Sequence, residues 1–345
     1  MERITEPTWG LPADVDSTDW ERMASVTPRH YVCHFTPNPP IIDGRLDDPA
    51  WSDATWTEPF VDIEGERGPE PRFDTRVAMR WDDDFLYVAA RMDDPHVWGT
   101  ITEPNSVIYL DKDFEVFIDP DGDNHNYYEL EINALNTIWE LTLEKPYRDG
   151  GPVYSPTHLP GLRTAVHVEG TLNAPHDTDI GWSVELALPW DGLSRHGYAP
   201  PADGDRWRIN FSRVHWEHEI VDNAYRKQSG VPEHNWVWSP QGVVDMHRPE
   251  RWGYVQFSRS QPGEASFRTD PTLRARDTLM AVYYAQKAYK QHHGRWADDL
   301  SELDVRVPEQ ADLHVQLDGW TATLPVSGHG ALLQVDHESR LQIMT

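Results

Sequence analysis

From Ile41 to Phe257 the chain runs in short segments of strand length, each closed by a cluster of aspartate, glycine or proline. The stretches 76–80, 85–91, 114–118, 128–134, 138–143, 163–169, 182–188, 207–211 and 253–257 have the length and spacing of a sheet protein, and 31–35 reads as an earlier short strand. Alternation is plainest where Phe114, Val116 and Ile118 oppose Glu115 and Phe117, and where Tyr128, Leu130, Ile132 and Ala134 oppose Glu129, Glu131 and Asn133. Each pattern gives one face to a core and leaves the other wholly or partly polar. Turn clusters at 82–84, 119–123 and 201–205 separate the strands. Long helical periods between them are missing, which disfavours a doubly wound parallel sheet. The pattern predicts a mainly β protein, an antiparallel β-sandwich with long loop insertions at 144–160 and 214–249.

The ends differ from this middle. Residues 1–29 are polar and broken by Pro and Gly, and read as an N-terminal arm; 30–258 form the sandwich; 259–269 read as a linker. In 270–345, Leu273, Leu279, Val282, Tyr283, Ala285, Ala288 and Tyr289 recur at a helical period that stops at Gly294. A short helical turn and three terminal strands follow, with a polar turn at Asp318–Gly319. This is a small C-terminal α+β appendage, and fewer than 80 residues give it only a small core of its own.

Charge narrows the partners. Lys plus Arg number 30 against 58 for Asp plus Glu, a formal charge of -28. Such a field repels phosphate backbones and anionic lipid surfaces, which argues against nucleic acid as a partner. No stretch approaches the roughly 20 apolar residues that cross a bilayer, so direct membrane insertion is not expected and the chain reads as soluble. The first residues lack the basic and apolar regions of a secretory signal, which points to the cytoplasm; a signal removed earlier would leave the periplasm or exterior open. Cys33 is the only cysteine, so neither a disulfide framework nor a cysteine-rich metal site is available.

Two local patterns carry chemistry. Asp119, Asp121 and Asp123 offer hard oxygen ligands at a spacing that can wrap calcium. This is not an EF-hand, since Asn124 and Leu130 stand where that loop needs Gly and a bidentate acid. The competing reading is a solvated hairpin whose Asp side chains cap their own backbone. The second pattern is the aromatic and polar succession from Val214 to Trp252, which holds Trp216, Glu219, Tyr225, Arg226, His234, Asn235, Trp236, Trp238, His247, Arg248 and Trp252; Trp216, Glu219, Arg226, His234, Asn235, Trp236 and Trp238 are the expected ligand contacts. A sugar has an apolar C–H face and a rim of hydroxyls, so it calls for indole platforms beside carboxylate, amide, imidazole or guanidinium groups. Trp236 and Trp238 share a side if the chain there is extended; the alternative is a long loop pinned by buried indoles. His215 and His218 do not make the helical metalloprotease motif, and His and Met candidates lack haem-ligand spacing. No organic cofactor is expected. Glu129, Glu131, Glu217 and Glu219 could serve as acids or bases, but residue type alone does not mark a catalytic pair.

The segments IIDGRLDDPAW at 41–51, VAMRWDDDFLYVAARMDD at 77–94 and DFEVFIDPDGDNHNYYELEIN at 113–133 resemble successive elements of the family 9 carbohydrate-binding domains. WSVELALPW at 182–190, DRWRINFSRV at 205–214 and HRPERWGYVQF at 247–257 continue the order. The resemblance covers most of residues 30–258. It implies a β-sandwich, commonly with bound calcium, whose characterised relatives grip a glycan end between tryptophans. Trp51, Trp81, Trp190 and Trp207 fall in framework pieces and look like core or rim residues. The leading expectation is noncatalytic recognition of an oligosaccharide or polysaccharide through a loop-built aromatic and polar site. Two others stay open: a polysaccharide-active hydrolase or lyase using the same loops, and a scaffold with a protein partner on the C-terminal unit.

Overall fold

The computed structural model describes residues 2–4 as backbone, and 18–326, 328 and 330–344 in full. Most of the N-terminal arm, 5–17, therefore lies outside the described residues. What is described of the arm is the strand Glu2–Ile4, antiparallel to Val153–Ser155, and the helix Asp19–Ala24.

Fourteen of the described strands join in one sheet that curls over a common core. One half runs Val153–Ser155, Ile138–Leu143, Tyr127–Asn133, Asp113–Asp119 and Arg206–His215; the other runs Thr75–Trp81, Phe85–Asp93, Gly181–Pro189 and Arg163–Glu169. Gly253–Ser258 and His30–Phe35 link the halves. The pairings are antiparallel except at His30–Phe35, which lies parallel to both Gly253–Ser258 and Thr75–Trp81. This strand reaches its neighbours through long connections, not hairpins, and only hairpins force antiparallel pairing. The result is a β-sandwich, as the alternation implied.

Period-2 alternation decides what lies between the halves. Phe114, Val116, Ile118, Leu130 and Ile132 from one meet Val77, Met79, Val88, Ala90, Val184 and Leu186 from the other, all buried. Each large apolar side chain removed from water stabilises the fold by about 1.5–3 kcal/mol. Much of the tryptophan is consumed here: Trp81, Trp190 and Trp207 surround Phe257 with edge-on ring contacts of 5.0–5.9 Å. Trp51 sits in a smaller cluster, where its indole donates to Glu185 at 2.6 Å.

The helix Leu273–His293 ends at Gly294, whose φ of 71° is the left-handed conformation that a residue without Cβ adopts freely. It packs Leu279, Met280 and Tyr283 in a cluster with Trp320, Leu333 and Val335 of a separate four-stranded antiparallel sheet. Four strands are found where three were expected. Asp336 accepts hydrogen bonds from the backbone of Glu338 and Arg340, and this turn splits the last stretch into Leu332–Asp336 and Leu341–Met344. The same unit docks on the sandwich: Asn124 donates to Ser339 O at 2.9 Å, Arg340 Nε meets Asp123 at 2.9 Å, and Arg276 donates to Gly122 O at 2.6 Å. Among the described residues no helix is long and apolar enough to cross a membrane.

Candidate functional site

The strands that fill the core with one face build a site with the other. Glu115 stands directly opposite Glu131, which stands directly opposite Trp139, so the three form one row across three strands. The next row holds Phe117, Glu129 and Leu141. An exposed sheet face would leave these carboxylates in water, yet Glu115, Glu129 and Glu131 are 5%, 3% and 2% exposed. Loop residues close over the face: Ile63, Tyr109, Tyr147, Glu233, Asn235 and the run Val244 to His247 complete a pocket of about 120 Å³ around the two rows. Val244, 55% exposed, marks its mouth.

Hydrogen bonds fix the walls. Trp139 Nε1 donates to Ser155 Oγ at 2.7 Å, and Tyr127 Oη lies 3.0 Å from His247 Nδ1. The Tyr147 ring meets His247 edge to face at 4.5 Å. Behind them Arg148 donates to His247 O at 2.8 Å and to Glu250 at 3.0 Å. Rings and acids thus line one concavity, the arrangement by which a protein grips a polar molecule with apolar faces.

Burial dominates the electrostatics. It pushes the Glu115 carboxyl up to about 7, and holds Asp113, Glu129 and Glu131 well above the usual carboxylate range, with the Glu115 charge adding to each. Tyr109 is raised to about 12 by burial and by Glu131. Carboxyls this close in a dry site cannot all ionise alone; they hold protons or take a cation. His247, the basic side chain lining the pocket, is lowered to about 4 by burial and supplies no charge near neutrality.

Of the residues expected to contact ligand, Asn235 lines this pocket. Trp236 and Trp238 do share a side, but that side is the interior: they are 1% and 2% exposed and packed in the main core. The platform expectation is corrected by register, since His234–Val237 pairs with Arg206–His215 and turns these indoles inward beside Phe73 and Phe211. Trp216 is half-buried; it donates to Tyr109 O at 2.8 Å while Lys227 Nζ covers its ring at 3.8 Å, so it supports the pocket wall. His234 Nε2 lies 3.0 Å from Glu217. Glu219 and Arg226 face each other on the exposed hairpin His218–Val221 and Ala224–Lys227, outside the pocket lining. Sequence reasoning weighed Glu129 and Glu131 only as scattered acids and did not single out Glu115, Trp139, Tyr109 or Tyr147. The signal was Phe117 in a run whose other outward residues are acids, with Trp139 and Leu141 beside it: an apolar contribution to a supposedly wet face.

Among the described residues two clusters of carboxylates could hold a metal ion: Asp113, Glu115 and Glu131, and the acidic turn Asp119, Asp121 and Asp123. In the turn, Asp119 accepts from the backbone of Gly122 and Asn124, each at 2.9 Å, and Asp123 accepts from His125 N and Arg340. The self-capping expected of a hairpin is therefore present, and the three carboxylates still converge as an all-oxygen set.

Comparison with known proteins bears on the sandwich. The family model for carbohydrate family 9 binding domain-like proteins matches residues 42–258. The exoglucanase XynX of Acetivibrio thermocellus is 28% identical over 157 residues, 45% of this chain and 12% of the enzyme. The endo-1,4-beta-xylanase A of Thermoanaerobacterium saccharolyticum is 26% identical over 155 residues, 45% of this chain and 11% of the enzyme. The chain thus covers about a tenth of the length of these relatives. A Bacteroides uniformis structure described as a candidate carbohydrate-binding protein shares the fold with a TM-score of 0.50 at 16% identity, over 67% of this chain and all of that one. A family 9 module from Caldicellulosiruptor kristjanssonii in complex with cellotriose aligns over 70% of this chain and all of that one, with a TM-score of 0.46 and 14% identity.

Proposed function

Since the chain belongs to the carbohydrate family 9 binding domain-like proteins, we propose that it recognises carbohydrate without transforming it, in the pocket between the outer face of the sandwich and the 244–247 loop. One observation carries this reading: the rings of Tyr109, Trp139 and Tyr147 share a cavity with Glu115, Glu129, Glu131, Glu233 and Asn235. Rings suit the C–H face of a pyranose, and carboxyl and amide groups suit its hydroxyls. A pocket of about 120 Å³ is many times what one water needs, roughly 10–15 Å³, and its limited size favours a terminal sugar over the middle of a chain. The relatives named above are an exoglucanase and a xylanase, so ends of β-glucan and xylan oligosaccharides are the first ligands to try.

Calcium is the proposed ion for the acidic turn. Asp119, Asp121 and Asp123 would hold it, and an all-oxygen set suits such a hard cation. Its role would be to stiffen the turn on which the C-terminal unit docks. That unit, expected to offer a surface to a protein partner, uses part of the turn's edge for the sandwich instead.

The test is calorimetric titration of the intact protein with cello- and xylo-oligosaccharides, followed by mass analysis of the incubated sugars. Glu233→Gln and Asn235→Ala should weaken binding at least tenfold, about 1.4 kcal/mol, while Arg226→Ala on the exposed hairpin leaves it within twofold. The sugars should keep their mass. No binding across the panel, or equal binding by all three variants, would overturn the reading.

A further inference from the structure

The floor of the pocket poses a problem that carbohydrate recognition does not answer. Like charges directly opposite on neighbouring strands destabilise a sheet, yet Glu115 faces Glu131 in register. Asp113 lies one residue before Phe114 on the same strand, and oxygen atoms of Asp113, Glu115 and Glu131 all fall within 4.8 Å of one another. All three are at most 5% exposed.

Second, two carboxyl oxygens here lack a hydrogen-bond partner. Asp113 Oδ2 and Glu129 Oε2 are buried and accept no hydrogen bond. The other oxygen of Asp113 accepts from Val214 N at 3.2 Å, and Glu131 Oε2 accepts from Tyr109 N at 2.9 Å. Backbone thus anchors one oxygen of Asp113 and one of Glu131, and the second oxygen of Asp113 stays without a partner. The buried cation next to Asp113 in sequence is engaged elsewhere: Lys112 Nζ is bound by both oxygens of Asp94, at 2.9 and 3.0 Å, and by His96 O.

We propose that Asp113, Glu115 and Glu131, with Glu129 beside them, form a binding site for a hard divalent cation of the calcium type at the floor of the pocket. Carboxylate oxygens are the donors that such ions select, and a set with no nitrogen or sulfur disfavours zinc and copper. Calcium takes six to eight oxygens; with one ligand oxygen from each carboxylate these residues fall short of that number, so the rest of its coordination sphere is open to water or to hydroxyl groups. The ion resolves the Glu115–Glu131 opposition and gives the buried Asp113 carboxylate a partner for its free oxygen.

The experiment titrates the chelator-stripped full chain with CaCl2 by calorimetry, in parallel with Asp113→Asn, Glu131→Gln and Asp121→Asn. The wild type should bind calcium, and Asp113→Asn and Glu131→Gln should lose one binding event or weaken it at least tenfold. Asp121→Asn, in the separate acidic turn, should keep that event. A second measurement covers the case in which a floor variant fails to fold: terbium bound by the wild type should emit on indole excitation, and Trp139→Phe should remove at least half of the emission. No calcium bound by the wild type, calcium bound unchanged by both floor variants, or glucosamine bound by the stripped protein in place of calcium would each overturn the site. Glycan binding is a separate readout. Calcium at the floor with no glycan bound would remove the function proposed above and leave the ion; glycan bound with no ion would do the reverse.

Discussion

His247 shows how burial sets the behaviour of a single residue in the pocket wall. Removal from water penalises the imidazolium, and Arg148 and Arg248 repel it, which together outweigh the attraction of Asp245 and lower its pKa to about 4. The folded protein therefore keeps His247 neutral while the unfolded chain takes up a proton below its ordinary value of about 6.5. As pH falls from 6.5 towards 4, the unfolded state gains a proton that the native state lacks, and stability drops by up to roughly 3 kcal/mol. Below 4 both states are protonated and this loss stops. Urea unfolding of the wild type and His247→Gln across this range checks it: the variant should show a shallower decline between pH 6.5 and 4. Parallel curves would place the acid sensitivity elsewhere.

Elements are joined by charges as well as by ladders. Asp94 follows the strand Phe85–Asp93, and both Lys112, before Asp113–Asp119, and Arg213, within Arg206–His215, bind its carboxylate, with Arg213 Nη2 at 3.1 Å. Asp94 and both cations are at most 2% exposed. Asp94→Ala leaves two buried cations without their counterion, an expected loss of about 3–5 kcal/mol, measurable as a lower urea midpoint. A change under 1 kcal/mol would mean that backbone carbonyls suffice. None of this junction was legible in the sequence, because the three residues lie on different elements and meet only after register is set. The strands themselves were legible, since Phe114, Val116 and Ile118 repeat a period that only a pleated segment produces. The outward face was not. Glu115, Glu129 and Glu131 look the same in a sequence whether water or a loop lies over them, and the covering residues come from scattered loops, from Ile63 to His247. Trp236 and Trp238 failed as a platform for a related reason: alternation tells which residues share a side, and only pairing with Arg206–His215 tells which side is the core.

At the scale of the whole molecule the C-terminal unit and the pocket share a support. Arg148 follows the wall residue Tyr147 and binds Glu250, while Arg248 follows the wall residue His247 and binds Asp19 at 3.2 Å and Asp245 at 2.8 Å. Both guanidinium groups are almost fully buried and reach the helix Leu273–His293: Arg248 donates to Tyr284 Oη at 2.9 Å, and Tyr284 donates in turn to Glu250. Arg148 Nε donates to Tyr283 Oη at 3.3 Å, and Tyr283 donates to Asp149 at 2.7 Å. The helix thus braces the two loops that carry Tyr147 and His247 without lining the pocket itself. Tyr284→Phe removes one hydroxyl that serves two charged partners, at an expected cost of about 1.5–3 kcal/mol, and keeps the ring stacked on Trp20. Its predicted signature is twofold: a lower melting temperature, and weaker oligosaccharide binding although residue 284 touches no ligand. A lower melting temperature with unchanged affinity would show that the wall holds its shape without the helix. A loss of affinity restored by adding more sugar, with the same heat per site, would show that the unit positions the wall instead of forming part of it.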